Sequence, residues 1–334
     1  MINIIGLVIV FTSVCLLTMC ESVGNQEFNR GGLVRLNTTA YRGCAMLIIM
    51  LAHITGEWGG KIFTPFGGIG VAIFLFLSGF GLSESFKKNG LDGFWQKKLV
   101  RVVVPYALFR IVCVMVDGSC NWQNLLLDIC CWCSSYWYID YMVRCYIVFW
   151  VANRFFGKYK WVVFGAFSLY TFFFMTAIRA EQSFSFFVGV LCSDYAKQIN
   201  AWNKKTYAVV MVEVGVIGIA CLAIKQLSVI RELFDTYYYY LVELGIKLPL
   251  GITLMCLLYL LPARMRKSQV LIFCSTYSLE LYLVHMLFMP KLADANFTQA
   301  LAVLIISGLI AYSFSKAVAS LLNMRLDFVK KTKI

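Results

Sequence analysis

Arg42 and His53 are the residues of this chain whose types and spacing point most directly to chemistry. Both sit in the apolar run AYRGCAMLIIMLAHITG, residues 40–56. Their separation of 11 positions returns an α-helix to the same face about three turns on, roughly 16 Å along the axis. One face of one hydrophobic helix would then carry a fixed cation near a membrane surface and an imidazole near mid-depth. Charge inside a span is costly, so such residues usually face a cavity or a partner and mark function. An imidazole can act as general base, or take an acyl group itself as nucleophile. Only one other histidine occurs in the chain, His285. Glu57 lies four residues after His53 on the same face. Either its carboxylate holds the imidazole tautomer and raises its basicity, or it is the polar end of the helix.

Other candidates are spread along the chain. In GVAIFLFLSGFGLSES, Ser78-Gly79 reads either as a small-residue patch for close helix contact or as backbone lining a narrow substrate channel. In FWQKKLVRVVVPY, Lys98 and Arg101 are three apart and share a face of a helix's first turn. They read either as snorkelling interfacial anchors or as a phosphate clamp beside Arg42. Asp140 and Arg144 lie four apart, as do Glu243 and Lys247. That spacing lets a buried pair neutralise itself, as a structural or channel-lining element. Pro249 after Lys247 suggests a kink and a cavity wall. YSLELYLVHMLF carries Glu280, Tyr282 and His285, which either pack or line the cavity of His53.

These residues need helices in a membrane to hold them. The chain of 334 residues is 60% hydrophobic and 14% charged, with mean hydropathy +0.76; soluble proteins are about 45–50% and 25%. The expected fold is all-α, a polytopic integral membrane protein of about ten or eleven transmembrane helices. Spans are expected near 3–20, 41–57, 67–84, 99–116, 134–152, 161–178, 184–198, 206–224, 238–261, 270–289 and 297–321. Residues 1–35 form an N-terminal membrane anchor and cytoplasmic linker, 36–322 the transmembrane domain, and 323–334 a basic cytoplasmic tail. The first segment lacks the basic n-region of a signal peptide, and its positive charges, Arg30 and Arg35, follow it. Alternate loops are basic, whereas the opposite side holds only Lys61, Arg179, Lys225, Arg231 and Lys291. The positive-inside rule puts the basic loops and C-terminus in the cytoplasm. The net charge of +13 therefore reports topology and not nucleic-acid binding. Thirteen cysteines show no metal-ligand spacing, so no metal is expected; Cys120, Cys130, Cys131 and Cys133 share one external loop, where a disulfide is conceivable.

Four stretches, in order, resemble acyltransferase family 3, mostly bacterial transmembrane O-acyltransferases of surface polysaccharides. They are YRGCAMLIIMLAH (41–53), FLFLSGF (74–80), KKLVRVVVP (97–105) and SLELYLVH (278–285), within a match over about 36–322. Two features depart from the family pattern. Its Arg-x-x-Arg is here Lys98-x-x-Arg101, losing one bidentate phosphate contact, and the N-terminal span is additional to the ten-helix plan.

The resemblance implies an O-acyltransferase, with acetyl-CoA or another acyl-CoA as co-substrate. Arg42, Lys98, Arg101 and Ser78 would take the donor, and His53, Arg42 and Glu57 would carry catalysis. Asp140, Arg144, Glu280, Tyr282 and His285 would line a substrate channel. Expected partners are acyl-CoA, a surface polysaccharide or lipid-linked sugar acceptor, and the lipids of a bacterial cell membrane. The oligomeric state is left open, a homodimer included. The rival class is a transporter or flippase for an envelope glycan precursor, since intramembrane Arg, His and acid–base pairs also serve proton coupling. A glycan polymerase would need a large external loop with catalytic charges, and the loops here are short.

Overall fold

A computed structural model describes residues 31–58, 63–118, 122–130, 134, 136–289 and 297–331, with positions 6, 9, 12 and 13. Every regular element among them is helical. The main helices are α1 (Arg35–Glu57), α2 (Thr64–Asn89), α3 (Phe94–Asp117), α4 (Trp122–Ile129), α5 (Trp137–Val151), α6 (Lys160–Phe174), α7 (Ser185–Asp194), α8 (Lys204–Ile224), α9 (Tyr237–Leu260), α10 (Gln269–Thr276), α11 (Ser278–Phe288) and α12 (Phe297–Lys331). The chain divides into two compact units, one of Met1–Asp92 with Tyr141–Thr276, the other of Gly93–Asp140 with Tyr277–Ile334.

In the first unit α2 is the hub, packed by α1, α7 and α9, while α8 pairs with α9 and α10 with α1. Its sequence, TPFGGIGVAIFLFLSGFGLSESFKKN, explains why. A β-carbon on Gly70 would come within 2.6 Å of the Ile49 side chain and 2.8 Å of the Ala45 carbonyl, so α1 crosses α2 in near backbone contact. One on Gly79 would overlap the Phe186 carbonyl of α7, and one on Gly189 of α7 would overlap that of Phe76. Small residues permit this approach, which gives membrane helices van der Waals contact where lipid offers little hydrophobic drive. In the second unit α3 packs on α4 and α11 packs on α12. Gly118, in the left-handed conformation at φ 67°, ends α3 by donating its N–H to Val114.

The described residues do not bring the count of spans to the expected ten or eleven. Among the described residues six helices, α1, α2, α3, α8, α9 and α12 to Asn323, are long and apolar enough to cross a membrane, or seven if Ala263–Thr276 and Ser278–Phe288 form one broken span. The expected spans at 134–152 and 161–178 form helices of only 15 residues, α5 and α6. That at 184–198 breaks at Tyr195 into α7 and Ala196–Asn200. Each is apolar over a longer stretch than its α-helix, and α5 runs directly into a π-helical turn at Ala152–Phe156. The segment at 3–20, Cys120, Cys131 and Cys133 lie outside the described residues, apart from the isolated positions named above; Cys130 is exposed. Pro249 sits inside α9 without ending it, and Thr253 donates its hydroxyl to the Pro249 carbonyl at 2.9 Å.

Candidate active site

Arg42 and His53 lie on one uninterrupted helix, α1, and both are half-buried, while their neighbours Tyr41, Gly43, Ala52 and Ile54 are buried. The shared face expected from their spacing is therefore that of a real helix packed on both flanks. Glu57 is the last residue of α1 and exposed.

At the Arg42 end, a β-carbon on Gly43 would overlap the Leu271 carbonyl, so α10 seats on α1 beside Arg42. The segment leading into α10 buries Arg266, Lys267 and Ser268. Arg266 donates to the carbonyls of Leu258 and Tyr259 at the end of α9, and its guanidinium lies 5.0 Å from the Tyr259 ring centroid. Those carbonyls have no partner within the helix, so a buried cation there satisfies them. Sequence reading missed Arg266 because it looks like one more cytoplasmic-loop cation. Tyr146 of α5 lies within electrostatic reach of Arg42. An apolar cavity of about 230 Å³ opens here between Leu33, Tyr41, Phe76, Trp202, Tyr207 and Met255.

At the His53 end, a β-carbon on Gly67 would stand 3.3 Å from that of Ala52, and one on Gly68 would strike the Lys247 side chain of α9. Lys247 belongs to a network larger than the pair expected from spacing. It bonds Glu181 and lies 3.3 Å from Glu243, which also pairs with Lys225. Gln182 donates to the Gly68 carbonyl at 2.8 Å. Burial pushes the Glu181 carboxyl above its ordinary pKa, and Lys247 offsets only part of that rise. For Lys225 burial works against the charge, but bonding to Glu243 outweighs it, and its pKa stands above the ordinary value. Glu181 and Lys225 gave no local signal, because they pair across long stretches of chain.

Ser78 is half-buried on α2, and the neighbouring Gly79 serves helix packing. Arg144 lies on α5, one turn after Asp140; Asp140 is buried and Arg144 half-buried.

The remaining candidates belong to the second unit. Residues Leu99–Val103 form a π-turn ahead of Pro105 in α3, where proline has no N–H to continue the α ladder. The wider turn changes the expected match of Lys98 and Arg101. Lys98 is half-buried with its ammonium 5.7 Å from the Phe94 ring centroid, and Arg101 is exposed. Arg110 and Asp128 form an ion pair at 2.6 Å, with the Tyr106 hydroxyl bonded to the same carboxylate. Tyr282 packs edge-on against Tyr136 and Tyr138, at 5.8 and 5.5 Å between centroids. His285 is buried with Nδ1 2.7 Å from the Leu281 carbonyl, the local bond of a packed helix histidine. Glu280 is half-buried one turn earlier.

This is an arrangement of ionisable groups on packed membrane helices, with a cation and an imidazole at two levels of one helix. Comparisons with curated proteins and with solved structures gave no match. Residues 39–322 match the family model described as an acyltransferase domain, and this multi-pass membrane protein belongs to acyltransferase family 3.

Proposed function

We propose that the chain is an integral membrane O-acyltransferase that carries an acyl group, acetyl in the simplest form, from cytoplasmic acyl-CoA to a hydroxyl of an extracytoplasmic glycan of the bacterial envelope. The observation that carries this reading is the placement of half-buried Arg42 and His53 on one face of α1, inside the family's domain. Their ~16 Å separation along the axis suits a donor whose phosphates and thioester are far apart. Arg42 binds donor phosphate, and the apolar pantetheine arm follows α1 toward His53.

In the direct route His53 accepts the proton of the acceptor hydroxyl as its oxygen attacks the thioester carbonyl. The C–S bond breaks, and the departing thiolate is protonated from solvent or from the imidazolium. In the covalent route the imidazole nitrogen attacks first, releases the thiol, and passes the acyl group to the hydroxyl in a second step. Both routes place His53 beside the reacting groups, at the hydroxyl proton in the direct route and at the carbonyl carbon in the covalent one.

The charge network around Lys247 is also what a proton-coupled glycan transporter would carry. Proteoliposomes with acyl-labelled acyl-CoA and an envelope glycan acceptor separate the two. The expected result is label in the glycan, reduced about 10²–10⁴-fold by His53→Ala. Glycan movement without consumption of acyl-CoA sinks the proposal and favours transport.

A further inference from the structure

We infer that a second pocket, walled by Thr64, Lys225, Gln226, Arg231, Phe234 and Tyr239, is the acceptor subsite, and that it selects a sugar bearing a carboxylate or phosphate. This rests on the glycan-acceptor reading above and gives that acceptor its chemical class. The pocket encloses about 400 Å³, within the ~300–1,000 Å³ of small-ligand sites.

Three observations carry the inference. The first is charge. Positive residues are depleted on the side predicted to be outside, where the chain keeps only five, and two of those, Lys225 and Arg231, meet in this one pocket. Lys225 is neutralised by Glu243. Arg231 is exposed and bonds the Gln226 side-chain oxygen, and among the described residues no carboxylate pairs with it. A guanidinium so placed matches the geometry of a carboxylate or phosphate. The second is the aromatic wall. Phe234, packed against the ring of buried Tyr239, is 70% exposed and offers a flat face to which the electropositive C–H groups of a pyranose ring are drawn. The third is position. Thr64 precedes by less than one turn of α2 the Gly67 that faces Ala52, the neighbour of His53. From Lys225 the ionic chain runs inward through Glu243 to Lys247, whose stem lies against Gly68. A sugar anchored by its anionic group at Arg231 shares the pocket with Thr64, at the wall that leads toward the His53 end of α1.

The test is calorimetric titration of the full-length protein in zwitterionic-lipid nanodiscs, without acyl-CoA. The probes are a galacturonate trisaccharide, a neutral galactose trisaccharide and glycerol 3-phosphate. The uronate should bind at least about tenfold more tightly than the neutral sugar, a preference that falls with added salt. Arg231→Glu should erase it and Arg231→Lys keep most of it, with unchanged melting temperatures because the side chain is exposed. Equal binding of the two trisaccharides, binding of neither, or a preference that survives Arg231→Glu overturns the assignment. Glycerol 3-phosphate binding as tightly as the uronate overturns it in favour of a lipid headgroup. Failure here leaves His53-dependent acyl transfer standing, and failure of transfer leaves this binding readout intact.

Discussion

Arg42 and His53 stood out in the sequence because an ionisable residue in an apolar run has few structural uses, and a spacing of 11 fixes their common face. The roles proposed for them make separate demands. Arg42→Ala should raise KM for acyl-CoA about 10–100-fold, the loss of one charge-assisted contact, and Arg42→Lys should fall between. An unchanged KM would remove Arg42 from the donor site. The ionic residues were only half legible. Glu243 and Lys247 announce themselves by i,i+4 spacing, but Lys247 bonds Glu181 from 66 positions away, and no local pattern carries that pairing. Lys247→Met leaves half-buried Glu181 without its cation, and thermal melts in detergent should show a loss of up to about 3–5 kcal/mol. The double variant Lys247→Met/Glu181→Gln should recover part of it, since the uncompensated charge is then gone. A double variant no better than the single would mean the carboxylate was never the problem.

The helices that position these residues were legible where an apolar run of spanning length coincides with one unbroken helix, as in α1, α2, α8 and α9. They were not legible where apolar sequence continues through a break, at Tyr195 or after Val151, because hydropathy does not register hydrogen-bond geometry. Nor did composition disclose the π-turn that separates the environments of Lys98 and Arg101. The hub role of α2 was visible only as an even choice at Ser78-Gly79, and contact with the α7 backbone decides it for Gly79. One substitution at two sites tests this. Gly79→Ala should lower stability by ~1–3 kcal/mol through overpacking. Gly165→Ala, in α6 with nothing within 4 Å of its new methyl group, should leave stability unchanged or raise it by up to ~1 kcal/mol. Equal melting temperatures for the two variants would contradict the packing assigned to α2.

At the scale of the whole molecule, the proposed function requires two faces of a membrane to be joined through one helix. The charge distribution of the loops predicts the sidedness. An epitope inserted at exposed Ser228–Val229 should be read by antibody on intact spheroplasts. A tag at the C-terminus should be read only after permeabilisation, and the reverse pattern would invert the proposed direction of transfer. The central claim is that the chain acylates an envelope glycan through His53. It is tested most directly by mass-spectrometric acyl content of surface glycans in a deletion strain, the same strain restored with wild type, and that strain restored with His53→Ala at equal membrane abundance. The account predicts acyl groups lost on deletion, regained with wild type and still missing with His53→Ala. Full acylation in the His53→Ala strain, or no acyl difference among the three, would contradict it.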